Sequence, residues 1–137
     1  LDTGIIFALG RCMAQNILVV EDDRLNRELL SKVLRQEGYQ VLEACDGDIA
    51  LKILRVLPCD LVITDFLMPM LNGIEFVERL RSLQPQMPII FITGYLSAIS
   101  DKKIVDEVAE ILAKPFEPNV LRSSVRRLLN STPHATS

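Results

Sequence analysis

Five side chains in this 137-residue chain are of types that could do chemistry together: Glu21, Asp22, Asp65, Thr93 and Lys114. Each stands at the end of a short apolar run. Glu21 and Asp22 follow Asn16-Ile-Leu-Val-Val20, Asp65 closes Leu61-Val-Ile-Thr-Asp65, Thr93 closes Ile89-Ile-Phe-Ile-Thr93, and Lys114 follows Glu110-Ile-Leu-Ala113. Carboxylates about 4 Å apart repel by roughly 4 kcal/mol per pair at an effective dielectric of about 20, so three gathered acids need positive charge. Lys114 can supply one unit. A hard divalent cation bound through oxygen suits the remainder, and Mg2+, with Mn2+ as its substitute, keeps waters that a phosphate can displace. No histidine or cysteine stands among the five, which argues against zinc. With charge offset in this way, Asp65 can attack phosphorus and the Thr93 hydroxyl can donate a hydrogen bond to a phosphoryl oxygen. The chemistry suggested is formation of an aspartyl phosphate.

The elements that must position these groups alternate along the chain. The β-branched apolar runs at 16–20, 40–44, 61–65, 88–93 and 110–113 read as strands. Between them lie helical patterns. Leu25, Leu29, Leu30, Val33 and Leu34 recur at helical spacing over 24–37, with Gly38 as a left-handed stop. Ile49, Ala50, Ile53, Leu54 and Leu57 share a face over 48–57, which Pro58 ends. Asn72 can cap a helix bearing Ile74, Phe76, Val77 and Leu80, a less clean helix spans 96–108, and Val120, Leu121, Val125, Leu128 and Leu129 mark a last one over 117–129. Five repeats of strand then helix predict an α/β fold: a single doubly wound, five-stranded parallel sheet with helices on both faces. In an open sheet of this kind ligands bind beyond the carboxyl ends of the strands, where the five groups stand.

Composition fits one globular domain, with 49% hydrophobic and 24% charged residues. A net charge of −3 favours neither nucleic acid nor an anionic membrane as a direct partner. Cys12, Cys45 and Cys59 are odd in number and lack metal-site spacing, which suggests reduced thiols. No apolar run approaches the roughly 20 residues that cross a bilayer, and the expected location is the cytoplasm. Residues 1–15 fit none of the repeats and read as an N-terminal extension upstream of a start at Met13. Residues 16–130 form the domain, and 131–137 read as a disordered tail.

Leu18-Val-Val-Glu21-Asp22-Asp23, Asp60-Leu-Val-Ile-Thr-Asp65-Phe-Leu-Met-Pro-Met-Leu-Asn-Gly73, Ile92-Thr93-Gly94 and Lys114-Pro115-Phe116 together resemble the receiver domain of bacterial two-component response regulators. The resemblance spans about 16–130, and four motifs in the same order make it specific. It implies the flavodoxin-like strand order 2-1-3-4-5, known for the chemotaxis member of that family. It also implies that Asp65 is the phosphoacceptor, loaded from a sensor histidine kinase or a histidine phosphotransfer protein. Glu21, Asp22 and Asp65, with the backbone carbonyl of Leu67, would hold Mg2+. Thr93 would turn toward the phosphoryl group, Lys114 would form the salt bridge, and Pro115 would be cis. Such a domain catalyses only its own phosphorylation and dephosphorylation. Its readout face, roughly 96–129, would contact an unknown output protein or a second copy as a homodimer.

Three positions modify that expectation. Ile111 stands where many relatives carry a tyrosine or phenylalanine whose rotamer follows the phosphorylation state. The resemblance implies that Leu67 and Tyr95, two residues after Asp65 and Thr93, would flank the pocket mouth, where their bulk predicts a long-lived phosphate. The chain reads as a stand-alone switch, a phosphorelay receiver excised from a hybrid kinase or larger regulator, or, as a rival class, an aspartyl-nucleophile phosphohydrolase. Against the last, Leu67 occupies the place of the second aspartate such enzymes use as general acid. Asp23 reads as a solvent-facing neighbour, Met68 and Met70 as filling, and His134 as without a role. Arg122, Arg126 and Arg127 read as a solvated face or a partner-docking surface.

Overall fold

The computed structural model describes residues 15–65, 73–94 and 106–131. The expectations that rest on the extension, the 66–72 loop with Leu67 and the Asn72 cap, Tyr95, the first part of the 96–108 helix and the tail lie outside the described residues. The described strands are β1 (Asn16–Val20), β2 (Gln40–Ala44), β3 (Leu61–Asp65), β4 (Ile89–Thr93) and β5 (Glu110–Ala113). The described helices are α1 (Arg24–Gln36), α2 (Gly47–Val56), α3 (Gly73–Leu83) and α4 (Pro118–Ser131).

The strands form one parallel sheet in the order β2-β1-β3-β4-β5. Every residue of β3 and β4 is buried, as a central strand covered on both faces requires. Side chains leave alternate faces, so Leu18, Val20, Val62, Ile89 and Phe91 pack with Ala50, Leu51 and Leu54 of α2 and Phe76, Val77 and Leu80 of α3. On the other face Ile17, Val19, Ile63, Ile90 and Ile92 meet Leu30, Val33 and Leu34 of α1 and Leu121, Val125 and Leu129 of α4. Phe76 and Phe91 are fully buried, and each is worth about 2–3 kcal/mol of hydrophobic stabilisation.

Local chemistry sets the helix ends. Asp23, read from sequence as a solvent-facing neighbour, is the N-cap of α1, its carboxylate accepting from the Asn26 amide at 2.9 Å. Gly38 takes φ +94°, where a Cβ would be strained, and lets the chain turn into β2. Asp46 caps α2 through the Ile49 amide at 2.9 Å. Leu57, placed by its sequence spacing inside that helix, is extended instead, as residues before proline tend to be. At the other end of the chain Ser131, assigned to the tail, closes α4.

Several side chains expected on buried faces are exposed. Leu25 and Leu29 of α1 are 68% and 53% exposed, and Ile49, Leu57 and Val120 also reach solvent. Helical spacing identifies residues that share a side, but the neighbouring sheet covers only part of that arc. Arg122 and Arg126 are not simply solvated, since both pair with Glu37 at the end of α1, at 3.4 Å and 2.9 Å, and Arg127 pairs with Glu110. Among the described residues no helix is long and apolar enough to cross a membrane.

Candidate functional site

The order of strands brings the five groups to one edge. β1 and β3 are neighbours although β2 lies between them in sequence, so Glu21 and Asp22, just past β1, stand beside Asp65 at the tip of β3. The connections leaving β1 and β3 run to opposite sides of the sheet, which opens a crevice at this switch point. β4 then delivers Thr93, and β5 leads into Lys114, whose amide donates to the Thr93 carbonyl at 2.8 Å. Oxygens of Glu21, Asp22 and Asp65 all lie within 4.8 Å of one another.

Burial within the cluster is uneven. Glu21 is 1% exposed and Asp65 9%, whereas Asp22 faces solvent. The Lys114 ammonium donates to Glu21 Oε1 at 2.9 Å and to Asp65 Oδ2 at 3.0 Å, reaching from β5 across the crevice. Glu21 Oε2 also accepts from the Asp23 amide at 3.1 Å. Burial pushes the Glu21 carboxyl up to about 7, with the Asp65 charge adding to the rise, although Lys114 and the Asp23 amide act against it. For Lys114, burial works against the charged form, but the hydrogen bonds and charges of the two acids outweigh it and raise its pKa. Three carboxylates gathered around one ammonium leave the site short of positive charge. The donor set is all oxygen, so the residues fit a hard divalent cation.

Thr93 is 1% exposed at the end of β4. The peptide between Lys114 and Pro115 is cis, as the resemblance implied. Ile111 is half-buried and packs against the core layer that contains Phe91 and Val108. Leu67, expected to offer its carbonyl to the metal, lies outside the described residues, as does Tyr95. Sequence reading missed Arg27, whose guanidinium donates to the backbone carbonyl of Glu21 at 2.9 Å. Its place one turn into the helix that follows the acidic turn was the available signal.

A doubly wound sheet that gathers three carboxylates and a lysine at its switch point defines a signal-receiver module. The chain belongs to the response regulator receiver domain family, whose pattern matches residues 17–126. It is 34% identical over 116 residues to the response regulator receiver protein CpdR of Brucella abortus, covering 84% of this chain and 97% of that one. It is likewise 34% identical over 119 residues to sporulation initiation phosphotransferase F of Bacillus subtilis, covering 85% and 95%. The response regulator TrrA of Thermotoga maritima, solved in complex with Mg2+-BeF, matches with a TM-score of 0.78 at 35% identity, covering 83% of this chain and 98% of that chain. The protein is therefore a receiver domain of two-component signalling, a family that binds Mg2+ at its acidic site and interacts with histidine kinases and phosphotransfer proteins.

Proposed function

We propose that Asp65 accepts a phosphoryl group from a phosphohistidine and that the resulting aspartyl phosphate shifts this domain between two conformations. The observation that carries the reading is the double contact of Lys114 with Glu21 and Asp65, which marks where negative charge is to be received. In the transfer, an Asp65 carboxylate oxygen forms the new bond to phosphorus as the N–P bond of the donor breaks. The histidine nitrogen keeps the bonding pair and takes up a proton. Lys114 holds the Asp65 carboxylate in place and balances the charge that builds on the phosphoryl oxygens. Thr93 donates its hydroxyl to one of those oxygens. Glu21, Asp22 and Asp65, with the Leu67 carbonyl, would hold Mg2+, which when bound neutralises the carboxylates and the phosphoryl oxygens together.

The donor reaches Asp65 beside α1. A groove of about 500 Å³ lies between α1 and the turn after β5, lined by Leu29, Leu30, Val33, Ile92, Pro115 and Phe116, and it opens next to Glu21 and Lys114. With Leu25 and Leu29 exposed one turn apart, this face suits the apolar side of a histidine-bearing helix. The output passes through altered protein contacts, including self-association through the 96–129 face. The likeness to a Bacillus phosphotransferase favours a second reading, a relay in which Asp65 hands the group on to another histidine.

Incubation with acetyl phosphate and Mg2+, read by intact mass, tests the proposal. One phosphoryl group per chain is expected, and none when Mg2+ is chelated beforehand or in Asp65→Asn. Continuous turnover would indicate a hydrolase, and inertness would sink the reading. Transfer from the phosphorylated protein to a histidine phosphotransfer domain separates relay from end point.

A further inference from the structure

We propose that Arg27, held by Glu43, is a positioning residue for the metal-binding acids, acting through the backbone of Glu21 rather than through its carboxyl. This rests on the metal-dependent reading of the site given above.

The turn between β1 and α1 has to aim Asp22, which is exposed, while Glu21 beside it is tied down by Lys114. The backbone does this from both sides. The Glu21 amide donates to the Ala44 carbonyl at 3.0 Å, which extends the β1–β2 ladder by one residue and fixes the peptide before Glu21. The peptide after Glu21 is past the end of that ladder. Its carbonyl accepts instead from Arg27 Nη1 at 2.9 Å. That plane fixes the N–Cα bond about which Asp22 is placed, and so limits where its side chain can leave the chain. The Arg27 amide meanwhile donates to the Asp23 carbonyl at 2.9 Å, so one residue closes the first helical turn and braces the acidic turn before it.

Arg27 is itself constrained. Its side chain is mostly buried, and Nε lies 3.3 Å from Glu43 Oε1 on the edge strand β2. The other Glu43 oxygen pairs with Arg35 at 3.2 Å, two turns further along α1. Glu43 thus holds the guanidinium fork so that one arm is aimed at the Glu21 carbonyl. A guanidinium presents its donors at fixed angles in one plane, so holding Nε on Glu43 also sets the direction of Nη1, which the freely rotating donors of an ammonium would not do.

The test is Mg2+ titration of the full chain, followed by the amide signals of residues 21–23, in wild type, Arg27→Ala, Arg27→Lys, Glu43→Gln and, as a control, Arg24→Ala. Groups that orient metal ligands are worth about 10–100-fold in affinity, so Arg27→Ala should weaken Mg2+ binding at least about tenfold. Arg27→Lys and Glu43→Gln should fall between it and wild type, while Arg24→Ala, whose side chain pairs with Glu28 in solvent, should match wild type. Phosphorylation by acetyl phosphate should be restored to within about twofold at saturating Mg2+, the pattern of lost binding with the chemical step intact. If Arg27→Ala unfolds, Arg27→Lys and Glu43→Gln carry the test. Unchanged Mg2+ affinity in folded Arg27 and Glu43 variants overturns the inference, as does a rate that saturating Mg2+ leaves depressed. A wild-type chain that binds no Mg2+ refutes the functional reading instead.

Discussion

Lys114 Nζ stands 3.0 Å from Asp65 Oδ2, a contact between residues 49 positions apart that closes the crevice at the sheet edge. The same ammonium holds Glu21, so its removal leaves two buried carboxyls without their cation. Breaking a buried pair from one side costs about 3–5 kcal/mol where the remaining charge cannot relax. Lys114→Ala should therefore lose about 3 kcal/mol in urea unfolding near pH 8 without metal, and clearly less near pH 5.5, where a carboxyl can take up a proton. An equal loss at both pH values would show that the lysine serves packing.

Metal and proton compete for Glu21. Burial raises its carboxyl from 4.5 to about 7, so the stability tied to its protonated form is fully present below about 4.5 and is lost as pH rises through about 7. Without metal, the stability measured in urea should rise on acidification from about pH 8 to about pH 5.5 by an amount on the order of 1–3 kcal/mol. Glu21→Gln should flatten that trend. Mg2+ binding near neutral pH should release a proton, seen by calorimetry in buffers of different ionisation enthalpy, and affinity should fall as pH drops below about 7. Calorimetry that finds no proton release would contradict this picture of Glu21.

Asp23 lies next to the metal-binding acids yet caps α1. The two roles separate by substitution. Asparagine caps as well as aspartate, so Asp23→Asn should keep the stability of wild type while Asp23→Ala loses about 1 kcal/mol in urea. A large loss in Asp23→Asn would mean that charge, not the hydrogen bond to Asn26, is what the position supplies.

Two of the cysteines should differ in reactivity. Cys45 is exposed, whereas burial pushes the Cys59 thiol up to about 11 from 9.0, and its Sγ lies 3.2 Å from the Leu61 carbonyl. A rise of that size reduces the thiolate fraction about 100-fold near pH 8, so iodoacetamide should modify Cys45 well before Cys59, as peptide mass mapping would show. The raised value also means that Cys59 supports folding below about pH 9 and ceases to as pH climbs through about 11. Equal labelling in the folded protein would contradict its burial.

The amino-acid sequence by itself determined the repeat of strand and helix, because hydrophobic period is a local property of the chain. It also determined which groups sit at strand ends, since Glu21, Asp65, Thr93 and Lys114 each directly follow or close an apolar run. What depends on strand order was decided by the tertiary structure. Only the placement of β1 beside β3 and of β5 two strands away lets one lysine hold both Glu21 and Asp65. The same holds for Arg122 and Arg126 on Glu37, and for Arg27 between Glu21 and Glu43, pairs that no spacing rule reaches. The exposure of Leu25 and Leu29 follows from where the sheet ends beneath α1: periodicity names the residues that share a side, and packing alone decides how much of that side is covered.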